Sequence, residues 1–298
     1  MLEAARLALC EVGVLGAGER MPPYSLRMSG NLVFLAYFDP TRFYAVKVGA
    51  QSDLRREYEG LREGHRLLPE GVPKPLALSR HRGFPTLVTE GLTYRPLGPV
   101  SLERRDAMLA DQIARFFVAC RRAFATRPAQ PASERLRAAN DEAGGLLPAA
   151  DWQRYCERVA AEADALPPVL QHGDFYVHNL GVRENALIVL DWEEFGLESL
   201  PGLDVALLLL TLDYFDVRKM WADTREGGRY RWILDAGCDG AGVPHATLFR
   251  LLPGYLALAA RNKHVLGYGD TFADAVRRAL PDALAVAADL PDAAAESR

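Results

Sequence analysis

Short runs of apolar, aromatic and β-branched residues follow one another along the N-terminal part of the chain, with polar turns between them. These runs predict β-strands at 24–38, 43–48, 75–79 and 85–89. Ser29-Gly30-Asn31 interrupts the first run. One amphipathic segment lies among the strands. Its apolar residues recur at helical spacing, which predicts a helix over 52–68 with Ser52 or Asp53 as the N-cap.

Helical periodicity dominates from about residue 95 onwards, and residues 2–10 also predict a short helix. Ser101 is the predicted N-cap of a long helix with an apolar stripe formed by Leu109, Ile113, Phe116, Phe117 and Cys120. Residues 127–150 are rich in Pro, Ala and Gly and predict an irregular linker, after which Asp151 caps another helix. Beyond residue 200 the pattern predicts helices broken at Pro201, Pro244, Pro253 and Pro281.

A polar loop lies between two apolar runs in residues 170–182. Leu170 and the run Leu180–Val182 are the predicted strand residues that enter and leave it, and Leu187–Leu190 is a further strand that ends at Asp191. A β-rich first part followed by a helical second part predicts an α+β fold and not a doubly wound sheet. We expect an N-terminal domain at 1–93, with a hinge near 88–93, and a C-terminal domain at 94–298.

Composition and charge narrow the class of protein. The chain has 298 residues, of which 49% are hydrophobic and 25% charged, and its net charge is −4 without a basic block, so a nucleic-acid surface is not expected. The longest apolar stretch, Val205–Leu210, is too short to cross a bilayer, and Glu3 and Arg6 argue against a secretory signal. The cysteines are scattered without a CxxC pair, which indicates neither a zinc knuckle nor a disulfide framework. We therefore expect a cytoplasmic protein without a membrane partner.

The polar loop and the following strand end carry oxygen ligands suited to a metal. Asp174 and Asn179 are five positions apart in an irregular loop, and Asp191 follows the apolar strand Leu187–Leu190. Carboxylate and amide oxygens that converge on one cavity are suited to Mg²⁺. Phosphoryl transfer needs such a set, because it depends on positioning and on neutralisation of phosphate charge.

The spacing His172-Gly173-Asp174-x4-Asn179, followed by Asp191, parallels the HRD-x4-N and metal-binding Asp of protein kinases. With Gly in place of Arg, and Asp-Trp-Glu in place of Asp-Phe-Gly, the segment resembles the aminoglycoside phosphotransferase and choline kinase family. The resemblance extends from about residue 25 to about residue 210. It implies a bilobal protein-kinase-like fold with a small β-rich N-lobe and a larger helical C-lobe.

The resemblance also implies roles for individual residues. Asp174 accepts or orients the proton of the acceptor hydroxyl, while Asn179 and Asp191 hold Mg²⁺. Lys47 reaches the nucleotide phosphates and pairs with Glu57, for which Glu59 is the alternative. The remaining assignments are a phosphate-covering loop with only one glycine (Ser29, Gly30 and Asn31), a hinge whose backbone meets the purine (Val88 and Glu90), and a structural carboxylate (Asp204).

Several polar residues near the motif have simpler interpretations. His172 is expected to support the turn through backbone hydrogen bonds, and His178 to contact solvent or substrate. Seven acidic residues and no Lys or Arg lie between Asp191 and Asp216 inclusive. Helix caps and solvated faces account for most of them. The alternative is that some bind a cationic acceptor, with Glu193, Asp213 and Asp216 as the candidates.

The expected activity is Mg²⁺-dependent transfer of the γ-phosphate of ATP, or alternatively GTP, to a hydroxyl of a small molecule. Relatives in the family act on aminoglycosides or other antibiotics, choline-like amines, homoserine and sugars. Two alternatives stay open: a kinase with a protein substrate, and a nucleotide-binding module without turnover. Only four of the 35 basic residues are lysines (Lys47, Lys74, Lys219 and Lys263), so a lysine in an apolar segment carries more information than usual.

Overall fold

A computed structural model describes residues 1–29, 31–49, 54–123, 131–268 and 271–290. The chain divides into two compact units. The first, called the sheet unit here, contains Met1–Arg95 and Gly181–Glu194. The second, called the helical unit, contains Pro96–Leu180 and Phe195–Arg298. The predicted Ser52 or Asp53 cap and the loop residue Gly30 lie outside the described residues.

The sheet unit is built on one antiparallel sheet. Its elements up to residue 90 are α1 (Leu2–Glu11), β1 (Tyr24–Ser29), β2 (Asn31–Tyr37), β3 (Phe43–Val48), α2 (Arg55–Leu67), β4 (Pro75–His81) and β5 (Phe84–Glu90). The strand order is β1-β2-β3-β5-β4, and every neighbouring pair is antiparallel. The predicted strands are thus present, with β1 ending at Ser29 and β2 beginning at Asn31.

Side-chain alternation along β3 separates a core face from a polar face. Val46 and Val48 are buried in a cluster that also contains Leu9 of α1 and Phe34 of β2. Successive side chains of a strand point to opposite faces, so Lys47 points away from this cluster. A lysine between two core residues therefore follows directly from the pleat of β3.

The second half of the chain is mainly helical. Its elements are β6 (Arg95–Pro96), α3 (Pro99–Leu102), α4 (Ala107–Ala123), α5 (Ala132–Glu142), α6 (Ala149–Ala165), a 3₁₀ turn (Val177–Asn179), β7 (Leu180–Arg183), β8 (Ala186–Val189), α7 (Leu203–Leu212), α8 (Val217–Thr224), α9 (Arg231–Ala241), α10 (His245–Arg250), α11 (Leu252–Val265) and α12 (Thr271–Ala288). The strands β6, β7 and β8 form a second sheet. The α+β prediction is confirmed: a β-rich part precedes a helical one.

The start of the long helix α4 differs from the prediction. Ser101 belongs to the separate short helix α3, where its hydroxyl accepts from the N–H of Gly98. Asp106 performs the capping role instead, because its Oδ1 accepts from the N–H groups of Met108 and Leu109 at 3.0 and 3.1 Å. The first N–H groups of a helix have no partner within the helix, and an aspartate at the N-cap accepts from them as well as a serine does.

The prediction of an irregular linker at 127–150 was wrong for most of the residues that the structure describes there. Residues 132–142 form α5, which buries Leu136 and Ala139. Its first turn is held by Asp164, which accepts from the N–H and the hydroxyl of Ser133 at 2.8 and 2.7 Å. A tertiary partner 31 residues away overrides the weak local signal.

Three smaller predictions were also wrong. Asp151 lies inside the first turn of α6, which begins after Pro148. Leu170 is not in a strand. Pro281 does not break α12, because a buried face that includes Val276 and Val286 continues on both sides of it. Packing along that face offsets the loss of one helical hydrogen bond. Pro201, Pro244 and Pro253 do lie at or near helix starts, as predicted.

Residues 181–194, which include β8 and all of β7 except Leu180, lie in the sheet unit, whereas the predicted C-terminal domain at 94–298 contains them. The N–H of Val189 donates to the carbonyl of Gly71 at 2.9 Å. The ring of Trp192 packs against Gly64 of α2. These contacts attach residues distant in sequence to the same core as α2.

Candidate active site

One lysine and three carboxylates form a cluster in the sheet unit. Nζ of Lys47 lies 2.7 Å from Oε2 of Glu57 and 3.8 Å from both Oδ1 of Asp191 and Oε2 of Glu193. Glu57 is buried on α2, whereas Glu59 is exposed. The structure therefore pairs Lys47 with Glu57 and not with the alternative Glu59.

The members of this cluster shift one another's pKa values. Burial raises the pKa of Glu57, Lys47 lowers it, and Asp191 and Glu193 raise it again, to about 7 in total. Burial lowers the pKa of Lys47, but the three carboxylates more than reverse this, so its net pKa is raised and it stays protonated. Asp191 and Glu193 place two further carboxylates beside the Lys47–Glu57 pair, and acidic surroundings of this kind suit a bound cation.

The backbone presents Asp191 in an unusual conformation. Its φ is +61°, a left-handed value that non-glycine residues rarely adopt. Its Oδ1 is buried and has no hydrogen-bond donor among the described residues, although Lys47 lies within ion-pair distance. A strained backbone that holds an unsatisfied carboxylate oxygen is typical of a functional site.

Trp192 anchors the residue next to Asp191. It is fully buried, and its indole N–H donates to the carbonyl of Val189 at 2.9 Å. Carbons of its ring would lie 2.6 Å from a Cβ at position 64, so only glycine fits there on α2. The tryptophan thereby fixes where the chain turns after β8, and with it the position of Asp191.

The donor set fits Mg²⁺ better than a metal held by protein alone. Within the described ranges there is no group of three or more His, Cys, Asp and Glu residues placed to hold a metal ion. A single carboxylate such as Asp191 suits Mg²⁺, which keeps waters and takes further oxygens from substrate phosphates. The unsatisfied Oδ1 of Asp191 and the carboxylates beside Lys47 are consistent with such a cation.

The polar loop in the helical unit holds Asp174 from several sides. Asp174 is 4% exposed, and Nδ2 of Asn179 donates to its Oδ2 at 2.8 Å and to its backbone carbonyl at 2.9 Å. Asn179 lies in the 3₁₀ turn that follows the loop. The convergence of Asp174 and Asn179 expected from their spacing is therefore present.

Asp204 organises the backbone of this loop. Its carboxylate accepts from the N–H groups of His172 and Gly173 at 2.5 and 2.8 Å. Gly173 has a φ of +88°, which explains why glycine occupies this position of the motif. Burial raises the pKa of Asp204 to about 7, against the lowering effect of the two N–H donors. The structural role expected of Asp204 is confirmed.

The two histidines differ in environment, as expected. Nδ1 of His172 accepts from the N–H of Asp174 at 3.2 Å, and His172 is fully buried. His178 is exposed and its ring lies 5.5 Å from that of Tyr176. His172 therefore supports the turn, and His178 is open to solvent.

Lys263 of α11 contacts Asp174, which the sequence did not predict. Its Nζ lies 2.7 Å from Oδ1 of Asp174, and the two side chains are 12% and 6% exposed. Lys263 is one of only four lysines and follows the apolar segment of α11. That rarity was the one signal in the sequence that could have identified it.

The other predicted nucleotide contacts lie in the sheet. Ser29 ends β1 and the buried Asn31 begins β2. Val88 and Glu90 lie in β5, where Val88 pairs with Val46 of β3. The N–H of Glu90 donates to the carbonyl of Lys74 at 2.9 Å, so it cannot also donate to a purine.

The three acidic candidates for binding a cation already have partners. Glu193 lies beside Lys47. Asp213 pairs with Lys219 at 2.7 Å and with Arg229 at 3.5 Å. Asp216 caps α8 by accepting from the N–H of Lys219. The helix-cap and ion-pair interpretation therefore describes them best.

Solved structures of small-molecule kinases share this fold. An ethanolamine kinase from Plasmodium vivax is 11% identical, covers 88% of this chain and 81% of its own, and has a TM-score of 0.60. A thermostable mutant of the aminoglycoside phosphotransferase APH(4)-Ia, in a ternary complex with ADP and hygromycin B, is 14% identical over 95% of this chain and 97% of its own, with a TM-score of 0.61. The GDP and kanamycin complex of APH(2")-IIia is 13% identical over 94% and 98%, with a TM-score of 0.62. The protein therefore has the protein-kinase-like fold of these enzymes.

The chain belongs to the APH phosphotransferase enzyme family, whose model matches residues 30–235. That range contains the Lys47 cluster, the loop around Asp174 and Asp191. No curated protein matches the chain. None of the helices in the described ranges is long and apolar enough to cross a membrane.

Proposed function

We propose that the protein transfers the γ-phosphoryl group of a nucleoside triphosphate to a hydroxyl of a small molecule. Membership of the APH family supports phosphotransfer to a small molecule. The observation that carries the finer proposal is Asp174, a buried carboxylate held on both oxygens by Asn179 and Lys263. Such a carboxylate is placed to act on one hydroxyl in one orientation.

Asp174 is the proposed catalytic residue. As the acceptor oxygen bonds to the γ-phosphorus, the bond from that phosphorus to its bridging oxygen breaks and the nucleoside diphosphate leaves. The hydroxyl proton passes to the carboxylate of Asp174. Asp174 thus orients the attacking oxygen and removes its proton.

Lys47, positioned by Glu57, is the proposed contact to the nucleotide phosphates. Its ammonium stays protonated beside the three carboxylates, and its charge complements phosphate oxygens. Ser29, Gly30 and Asn31 are proposed to cover the phosphates through backbone N–H groups. Val88 and Glu90 stay the predicted purine contacts. The N–H of Glu90 already donates to the carbonyl of Lys74, so the proposed contact involves other groups of Glu90.

Magnesium dependence is part of the proposal, and Asn179 and Asp191 stay the predicted ligands. When bound, the ion would neutralise charge on the β- and γ-phosphates. The carboxylates beside Lys47 and the unsatisfied Oδ1 of Asp191 support a cation there.

ATP is the proposed donor, with GTP as the alternative. Structures of similar fold were solved with ADP in one case and GDP in another, so the fold is compatible with either purine. The acceptor is proposed to be an alcohol of the kind that relatives phosphorylate: an aminoglycoside or other antibiotic, an amino alcohol, homoserine or a sugar. Location in the cytoplasm stays a prediction.

A panel of hydroxyl acceptors tests the proposal. Purified protein is incubated with Mg²⁺ and ATP, or with Mg²⁺ and GTP, and release of the diphosphate is measured for each acceptor. We expect acceptor-dependent release that disappears when EDTA is added. Nucleotide binding without release for any acceptor would contradict the proposal and favour a binding module, and release only with protein acceptors would favour a protein kinase.

A further inference from the structure

An ammonium, a carboxylate and two aromatic rings meet at the end of α11. Nζ of Lys263 lies 2.7 Å from Oδ1 of Asp174, and 5.5 and 5.2 Å from the ring centres of Tyr176 and Tyr268. The side chain of Lys263 is only 12% exposed. We call the carboxylate of Asp174 and the two tyrosine rings the ammonium cage.

The end of α11 places Tyr268 over Lys263. Gly267 has a φ of +76°, its N–H donates to the carbonyl of His264, and the N–H of Tyr268 donates to the carbonyl of Lys263. These two hydrogen bonds are those of a Schellman motif, which reverses the chain after a helix. Lys263 also lies in the last turn of α11, where the helix dipole favours a cation. The cage is therefore built partly by a local turn that requires glycine.

The second ring is held by the catalytic loop and by an aromatic cluster. The N–H of Tyr176 donates to the carbonyl of Asp174 at 2.7 Å. Its ring lies 6.2 Å from those of Phe215 and Phe272. Tyr214 and Phe215 both have positive φ, at +53° and +64°, an uncommon pair for non-glycine residues. Tyr176 is thus placed by neighbours on several elements.

A carboxylate flanked by aromatic faces is the chemistry that recognises an organic ammonium ion. Here the chain's own ammonium already lies there. An acceptor with an ammonium group beside its hydroxyl would have to displace Lys263 or stand next to a like charge. The acidic residues Asp213 and Asp216 of the helical unit provide no substitute, because one is paired with Lys219 and Arg229 and the other caps α8.

We propose that Lys263 determines acceptor specificity by filling the ammonium cage, so that the acceptor is an uncharged or anionic alcohol and not an amino alcohol with its ammonium at Asp174. The consequence for the acceptor rests on the proposed function, because it assumes that Asp174 meets the hydroxyl. Occupancy of the cage by Lys263 does not depend on turnover and is tested separately.

Binding of tetramethylammonium chloride tests the occupancy. Isothermal titration at constant ionic strength, with sodium chloride as the blank, compares the wild type with Lys263→Ala. Removal of the side chain leaves two rings and a carboxylate for the probe. We expect Lys263→Ala to bind it about tenfold or more tightly than the wild type. The double variant Lys263→Ala/Asp174→Asn should lose most of this gain.

Lys219→Ala is the matched control, because it also removes a helix lysine paired with an aspartate at 2.7 Å, but one outside the cage. It should bind the probe no better than the wild type. Circular dichroism and thermal unfolding establish that each variant is folded, and Lys263→Ser replaces Lys263→Ala if the latter is not. Equal binding by the wild type and Lys263→Ala, or binding by neither, would overturn the proposal.

Turnover of a charge-matched series tests the consequence for the acceptor. The series is 3-amino-1-propanol, 1,3-propanediol and 3-hydroxypropanoate, or a corresponding trio built on an alcohol from the acceptor panel. In the wild type kcat/KM should be lowest for the cationic alcohol. Lys263→Gln should raise the kcat/KM for the cationic alcohol, relative to that for the neutral alcohol, about tenfold. A wild type that prefers the cation would overturn the proposal. Absence of diphosphate release with every alcohol would instead contradict the proposed function, and the titration would then decide the occupancy alone.

Discussion

Asp174 has a different donor on each of its oxygens. Asn179 donates to Oδ2 and Lys263 to Oδ1, at 2.8 and 2.7 Å, and His172 accepts from its N–H. The carboxylate therefore has little freedom to rotate. A group held in this way suits a role that depends on orientation.

Asp174→Asn should retain Mg²⁺-nucleotide binding and lose most phosphate transfer. The amide keeps the shape of the side chain but cannot take the proton from the acceptor, which should lower kcat about 100-fold or more. Diphosphate release measures transfer, and a thermal shift with Mg²⁺ and ATP measures binding. Transfer at the wild-type rate would show that Asp174 does not act on the acceptor.

Asp191→Ala is the contrasting variant. It removes the carboxylate with the unsatisfied Oδ1 and should weaken nucleotide binding itself, so that the Mg²⁺-dependent part of the thermal shift is largely lost. Asp191→Ala with an unchanged Mg²⁺-dependent shift would exclude Asp191 as a ligand.

Helix α2 and the turn after β8 depend on each other through one contact. Glu57 on α2 pairs with Lys47, and Gly64 on the same helix packs against Trp192, next to Asp191. One buried face of α2 therefore holds Lys47 through Glu57, and supports Asp191 through the contact of Gly64 with Trp192. A change at Gly64 is expected to affect residues that are far from it in sequence.

Gly64→Ala should lower the free energy of unfolding by about 1–2 kcal/mol, because a Cβ 2.6 Å from the ring of Trp192 forces a buried side chain to move. The gain in helix propensity offsets only part of this cost. Urea denaturation measures the change. Gly18→Ala, where a Cβ meets nothing within 4 Å, is the control and should stay within about 0.5 kcal/mol of the wild type. Equal stability of the two variants would contradict the assigned contact.

Whole-molecule stability should depend on pH through buried carboxyl groups. Asp204 and Glu57 both have pKa values raised to about 7 by burial, well above those of an unfolded chain. Between about pH 4 and 7 these two groups therefore hold more protons in the folded chain than in the unfolded chain. Their contribution to the free energy of unfolding falls as the pH rises through this interval.

Asp204→Asn should remove the share of this pH dependence that belongs to Asp204. The wild type should be more stable relative to Asp204→Asn at pH 5 than at pH 8, as measured by urea denaturation. Glu57 is present in both proteins and therefore cancels from the comparison. Parallel stability profiles of the two proteins would show that Asp204 does not titrate in this range.

Local pattern predicted the strands well because each is a short run rich in apolar, aromatic or β-branched residues with a polar turn beside it. Helix starts were less predictable, since Ser101 and Asp106 are both good N-caps and only the fold selects between them. The helix α5 was missed because its stability comes from Asp164 and buried packing, which lie outside its own sequence. Structure that depends on neighbouring residues could be predicted from the sequence. Structure that depends on contacts between residues tens of positions apart could not.

The sequence by itself determined the family, the pairing of Asp174 with Asn179, and the supporting role of His172, because all of these depend on spacing within a short motif. Tertiary structure alone decided that Glu57 and not Glu59 meets Lys47, that Trp192 rests on Gly64, and that Lys263 contacts Asp174. Lys263 lies 89 residues from Asp174 along the chain. No periodicity or spacing encodes a contact of that kind, since it exists only when α11 packs beside the loop.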